Sequence, residues 1–122
     1  MLARGSRHEP FNYKQINKQT MKCLDDHHNY ELESFEGSPP QDLKFINKVP
    51  VPDNSGQMRT VHDGTTNEEV LKVLIHRTNE LNKKFPCREN SIAITKMEEA
   101  LMWFNNRTRD RQIRGVEGMH KA

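Results

Sequence analysis

Apolar residues are arranged differently in the two halves of this chain, and the change of pattern divides it. From Thr66 onward they fall at helical spacing. Val70, Leu71, Leu74, Ile75, Thr78 and Leu81 lie on one face through about four turns. Thr66 followed by Glu69 is a capping box, in which each side chain satisfies an orphan N–H of the first turn. The run Lys83-Lys84-Phe85-Pro86-Cys87 breaks this helix, because Pro86 disfavours a helical Phe85. A second helix is expected from Asn90 or Ser91, either of which can cap. Ile94, Met97, Leu101 and Phe104 then recur at three, four and three, while Ala93 and Ala100 allow close approach. Two antiparallel helices joined by a loop of about six residues make an αα-hairpin.

Before Thr66 the apolar runs are shorter, β-branched and bounded by turn formers. Leu43 to Val51 reads as a strand that Pro50 confines to an edge or a bulge. The turn formers Pro52-Asp53-Asn54-Ser55-Gly56 lead back into a partner strand, Gln57 to His62, and His62-Asp63-Gly64 ends the hairpin. Residues 27–42 hold turn formers and one short strand around Tyr30 to Phe35. Tyr13, Ile16, Thr20, Cys23 and Leu24 give a weak helical signal over 13–26, and residues 1–12 are polar. The expected class is α+β: a small N-terminal antiparallel β-sheet followed by a C-terminal antiparallel helical hairpin. The expected divisions are a polar extension over 1–42, a β-hairpin over 43–64, and the helical hairpin with its arginine-rich tail over 65–122.

Composition adds a stability problem. Hydrophobic residues make up 33% and charged ones 30% of 122 residues, too little apolar material for a generous core. A helical hairpin with a two- or three-stranded sheet cannot enclose both helices. Trp103, off the main stripe, either completes an intrachain core against the sheet or meets a second protomer, and the second is favoured. Oligomerisation is the expected source of the missing stability. Two distant cysteines, Cys23 and Cys87, make no disulfide framework, and neither a membrane span nor a secretory signal is visible, so a cytoplasmic protein is expected.

The net charge of +2 is too small for general binding to DNA or RNA polymers. Its distribution says more. Between Arg107 and Arg114 four arginines, with Arg109 and Arg111, stand against one acid, Asp110, and Gly115 and Gly118 follow. In a helix Arg107, Arg111 and Arg114 share a face while Arg109 points elsewhere. Guanidinium forks suit phosphate, and glycines let backbone N–H groups approach a ligand. The competing explanation is a solvated helix end whose cations complement the helix dipole. Phe85, Arg88 and Asn90 form a second candidate, an aromatic platform and polar groups before a helix N-terminus. There Phe85 in the hairpin core, with Asn90 as a plain N-cap, is the alternative. His27-His28 beside Asp25-Asp26 could suggest a metal, yet adjacent histidines in a polar turn seldom ligate. Cys23 and Cys87 lack partners at zinc spacing. No nucleophile motif or phosphate loop is present, consecutive Glu98 and Glu99 diverge by some 100°, and neither enzyme activity nor a cofactor is expected.

The stretch FPCRENSIAITKMEEALMWFNNRTRDRQIRGVEG, preceded by TNEEVLKVLIHRTNEL, resembles the helical hairpin of phage proteins that sequester immune signalling nucleotides. RENSIAITKMEEALMWFN is similar to the shorter anti-CBASS sponges. The RTRDRQIRGVEG tail and the β portion resemble the first type of Thoeris anti-defence protein. The resemblance covers about 60 residues well, Leu43 to His62 loosely, and residues 1–40 not at all. It implies a non-catalytic sponge in the infected bacterial cell, binding cyclic ADP-ribose isomers and in several cases cyclic di- or trinucleotides. It also implies dimers that associate into hexamers, with pockets at subunit interfaces. Carried over, Arg107, Arg111 and Arg114 would grip the pyrophosphate, Phe85 would stack on adenine, and Asn90 would bond a ribose or base edge. Gly115 and Val116 would give backbone contacts. Arg88 and Thr95 match positions of a second, cyclic-trinucleotide site.

Overall fold

The computed structural model describes residues 21–115 and divides after Leu43 into two units. In the first, β1 (Met21–Cys23), β2 (Asn29–Leu32) and β3 (Gln41–Lys44, whose last residue opens the second unit) form a sheet of order β1-β2-β3. The first two strands pair antiparallel with Lys22 opposite Glu31 and Cys23 opposite Tyr30. The helical signal over 13–26 therefore fails at its described end, where residues 21–23 are a strand; residues 13–20 lie outside the described residues. The local cause is the turn. Asp25 Oδ1 accepts the N–H groups of His28 (2.9 Å) and Asn29 (3.0 Å), and Leu24 N–H donates to Asn29 O (2.8 Å). These bonds fold the chain back and commit residues 21–23 to cross-strand pairing. The expected strand at Tyr30 begins at Asn29 and stops at Leu32, leaving Phe35 fully exposed.

The second unit carries β4 (Asn47–Pro50), β5 (Met58–His62), α1 (Asn67–Lys84) and α2 (Arg88–Ile113). β4 and β5 pair antiparallel across the expected turn, with a register shift at Asn47/Lys48 and Pro50 at the strand end opposite Met58. The single strand expected over 43–51 is broken at Phe45–Ile46. Thr65 takes the backbone groups there: Thr65 N–H donates to Lys44 O (2.9 Å) and Ile46 N–H to Thr65 O (3.0 Å), a parallel bridge. Gly64 makes that approach possible, since a Cβ on it would stand 2.6 Å from Lys44 O. This crossing delivers the chain into α1.

Thr66 caps α1, its hydroxyl accepting Glu69 N–H at 3.2 Å. Only half of the expected box forms, because the Glu69 carboxylate turns to Lys72 (3.6 Å). α2 starts earlier than expected, at Arg88 with Cys87 as N-cap. The connection is three residues, Phe85 to Cys87, where about six were expected. Asn82 explains the difference: its Oδ1 accepts Cys87 N–H (3.0 Å) and its Nδ2 reaches Ser91 Oγ (3.3 Å), while Cys87 Sγ accepts Asn90 N–H (3.4 Å).

The helices lie antiparallel, with Asn82 beside Ser91 at one end and Glu68 beside Thr108 at the other. On α2 the inward line is Asn90, Ile94, Met97, Leu101, Phe104, Thr108 and Arg111, alternating fours and threes. On α1 the partly buried positions include Glu68, Leu71, Ile75, Thr78 and Asn82, so the seam is turned from the expected stripe and Leu74 and Leu81 lie at its exposed edge. Among the described residues Ile94 is the one buried hydrophobic side chain. Trp103 is 66% exposed.

Candidate functional site

Both helices place the candidate residues, and they place them at opposite ends. At the turn end Phe85 is the C-cap of α1, its N–H bonded to Leu81 O at 2.9 Å and its ring 75% exposed. The ring therefore does not lie in the hairpin core. Arg88 is the first residue of α2 and exposed; Asn90 is half-buried in the same turn, its N–H committed to the Cys87 thiol. Asn90 is thus a first-turn residue and Cys87 the cap. Thr95 is exposed, its hydroxyl returned to Ser91 O at 3.2 Å.

At the open end the arginines separate into distinct states. Arg107 is exposed and has no ion pair or hydrogen-bond partner among the described residues. Arg109 points away and donates to Asn106 Oδ1 at 2.8 Å. Arg111 is buried, only 7% exposed, in line with the helix seam. Arg114, the C-cap, is exposed and bonded through Nε to Asp110 Oδ2 at 3.0 Å. Gly115 follows with φ +71°, a left-handed turn that glycine adopts freely and that ends the helix. Its N–H donates to Gln112 O at 3.0 Å. Val116 lies outside the described residues. Arg107, Arg111 and Arg114 do share a face, but burial grades them, and sequence spacing carries no sign of that.

Seventeen residues of helix at 1.5 Å each put Asn90 about 26 Å from Arg107 along α2. Within one protomer the aromatic end and the guanidinium end cannot touch a single small ligand. An open groove of about 550 Å³ follows the outward face of α1, lined by residues such as Val73, His76, Arg77 and Leu81. It includes none of the candidate residues. Its described lining residues all belong to α1.

Among the described residues no group of three histidines, cysteines or acids gathers as a metal site. The histidine–aspartate run is used structurally. Backbone donation from His28 is the main reason the exposed Asp25 carboxyl is held down at about 2, and His27 lies 3.2 Å from Asp26. No described helix is long and apolar enough to cross a membrane.

Known proteins show the same hairpin pattern. The sequence model of the Acb2/Tad1 hairpin domain matches residues 45–109, more than half of the chain. A protein named Thoeris anti-defense 1, from Bacillus phage SBSphiJ7, is 44% identical over 86 residues. That alignment spans 61% of this chain and 61% of the phage protein, so under two thirds of the relative is matched. With an α+β architecture ending in an antiparallel helical hairpin, and a family match across its sheet-to-helix segment, the chain belongs to the Acb2/Tad1 hairpin-domain family.

Proposed function

We propose that the protein is a non-catalytic sponge that sequesters cyclic ADP-ribose-type immune signals, acting against Thoeris defence inside the infected bacterial cell. One observation carries the reading: three arginines share one face at the end of α2, and Arg107 is exposed with no ion pair or hydrogen bond among the described residues. An unpaired guanidinium can bind a phosphate without first breaking a protein contact. Arg114 would exchange Asp110 for ligand, and Arg111 would be met where the seam opens. Family membership and the relative's name support the anti-defence role.

The pocket is composite in this reading. Phe85 and Asn90 of one copy meet Arg107, Arg111, Arg114 and the Gly115–Val116 backbone of another, because the two ends of α2 are too far apart to meet within a copy. The exposed Phe85 ring stacks on adenine and Asn90 bonds a ribose or base edge. Arg88 and Thr95 form a second site for cyclic trinucleotides. Exposed Trp103, Met102 and Ile92 on α2 supply apolar surface for a homodimer and for its assembly into a hexamer.

Sequestration needs binding well below signal concentration, so nanomolar affinity, about −12 kcal/mol, is expected. Arg107→Ala lowers affinity for a cyclic ADP-ribose isomer by at least about 1.5 kcal/mol, with melting unchanged, since the side chain is exposed and has no hydrogen bond or ion pair among the described residues. Calorimetry reads this directly. Ligand incubated with excess protein and released by denaturation should return intact; recovery of a cleavage product would make the protein an enzyme and end the proposal.

A further inference from the structure

The outward face of α2 carries its charges in mirror order. Lys96, Glu99, Trp103, Arg107 and Asp110 follow one another at three, four, four and three. At 100° per residue all lie within about 40° of Trp103, well away from the inward line. All five are exposed, Trp103 by 66%. Counted outward from Trp103, the stripe runs acid then base toward the N-terminus, and base then acid toward the C-terminus. A helix with that order fits its own copy laid antiparallel: Lys96 falls opposite Asp110, and Glu99 opposite Arg107. Laid parallel, every charge would meet its own kind. A slide of three residues from the symmetric register sets Lys96 against Arg107 in one direction and Glu99 against Asp110 in the other.

We propose that α2 pairs antiparallel with α2 of a second copy about a two-fold axis at Trp103. The indoles cover each other on the axis, where a large aromatic contributes most to an interface, and the charges flank them as a rim. Rim ion pairs add little affinity but reject wrong registers. Glu99 lies 3.6 Å from Lys96 of its own helix, so Arg107 gains a neighbouring acid and keeps N–H groups for a phosphate. The consequence for ligand deepens the sponge reading and rests on it. At about 1.5 Å per residue Asn90 lies about 20 Å from the axis, and Arg114 of the second copy lies about 17 Å out on the same side. The pairing therefore brings the turn end of one hairpin to the guanidinium end of the other, twice in each dimer.

Charge reversal tests the register. Lys96→Glu and Asp110→Lys each set like charges opposite one another at two places, and each alone should associate at least about tenfold more weakly than native in sedimentation. Mixed in equal amounts, the two variants match acid with base at both places, and association should return to within about threefold of native. Trp103 is the one tryptophan of the chain, so its emission reports on the axis without any substitution. It should be blue-shifted in the native dimer and red in either variant alone. Should a variant fail to fold by circular dichroism, the native emission carries the test by dilution, turning red as the dimer dissociates. In calorimetry with a cyclic ADP-ribose isomer the separate variants should bind at least about tenfold more weakly, and their mixture nearly as native. A mixture that associates no better than its parts, or native emission that is solvent-exposed at every concentration, overturns the pairing. A mixture that regains the dimer, while neither it nor the native chain binds the ligand, overturns the sponge reading alone.

Discussion

The two ends of the helical hairpin are closed by different chemistry. At the turn end Asn82 joins the helices through neutral hydrogen bonds to Cys87 and Ser91, partners five and nine residues away. At the open end Glu68 meets Thr108 forty residues on, and Arg111, one turn later on α2, is buried. Neutral local bonds close a loop of little entropy and tolerate water. A charged, half-buried layer made by distant residues forms only when the whole hairpin is assembled. The turn end can therefore be rigid and bland, while the open end concentrates charge in a layer that exists only in the assembled hairpin.

Four substitutions break or sharpen this contrast. Ile94→Ala removes the buried anchor near the turn end and should cost about 3 kcal/mol in urea or thermal unfolding, loosening both ends together. Arg111→Ala should cost about 2 kcal/mol by the same measurement, because it strips a buried charged layer, and should speed amide exchange chiefly in the first turn of α1 and the last of α2. Were Arg111→Ala neutral, the open end would not be held by charge. Asn82→Ala frees Cys87 N–H and Ser91, and about 1 kcal/mol is expected, with faster exchange confined to residues 85–91. Asp110→Ala should be smallest: the Arg114 pair is exposed, so stability should shift by no more than about 0.5 kcal/mol. Its effect belongs in binding, where freeing Arg114 should tighten a cyclic ADP-ribose isomer about two- to threefold, most clearly at low salt.

Local signals in the chain translated well. Thr66 as cap, the stop at Lys84 before Phe85-Pro86, and the 94–104 line on α2 depend on residues within a turn of one another. The start of α2 was misplaced because its cap is a thiol, an uncommon choice, supported by an asparagine from the other helix. The break at Phe45–Ile46 was hidden because Thr65 and Gly64, some twenty residues later, impose it. At the candidate site, spacing correctly put Arg107, Arg111 and Arg114 on one face, yet Arg111 is buried where Arg107 and Arg114 are exposed.

Helical periodicity, capping and the clustering of guanidinium groups are properties of neighbours in sequence, so the chain alone determines a helical hairpin with a cationic end. Depth is a property of neighbours in space. Which arginine is solvated, which is paired with Asp110, and which is buried in the seam follow from the antiparallel register of two helices. Only the tertiary structure decides that, because burying a charge depends on what the opposite helix brings to it.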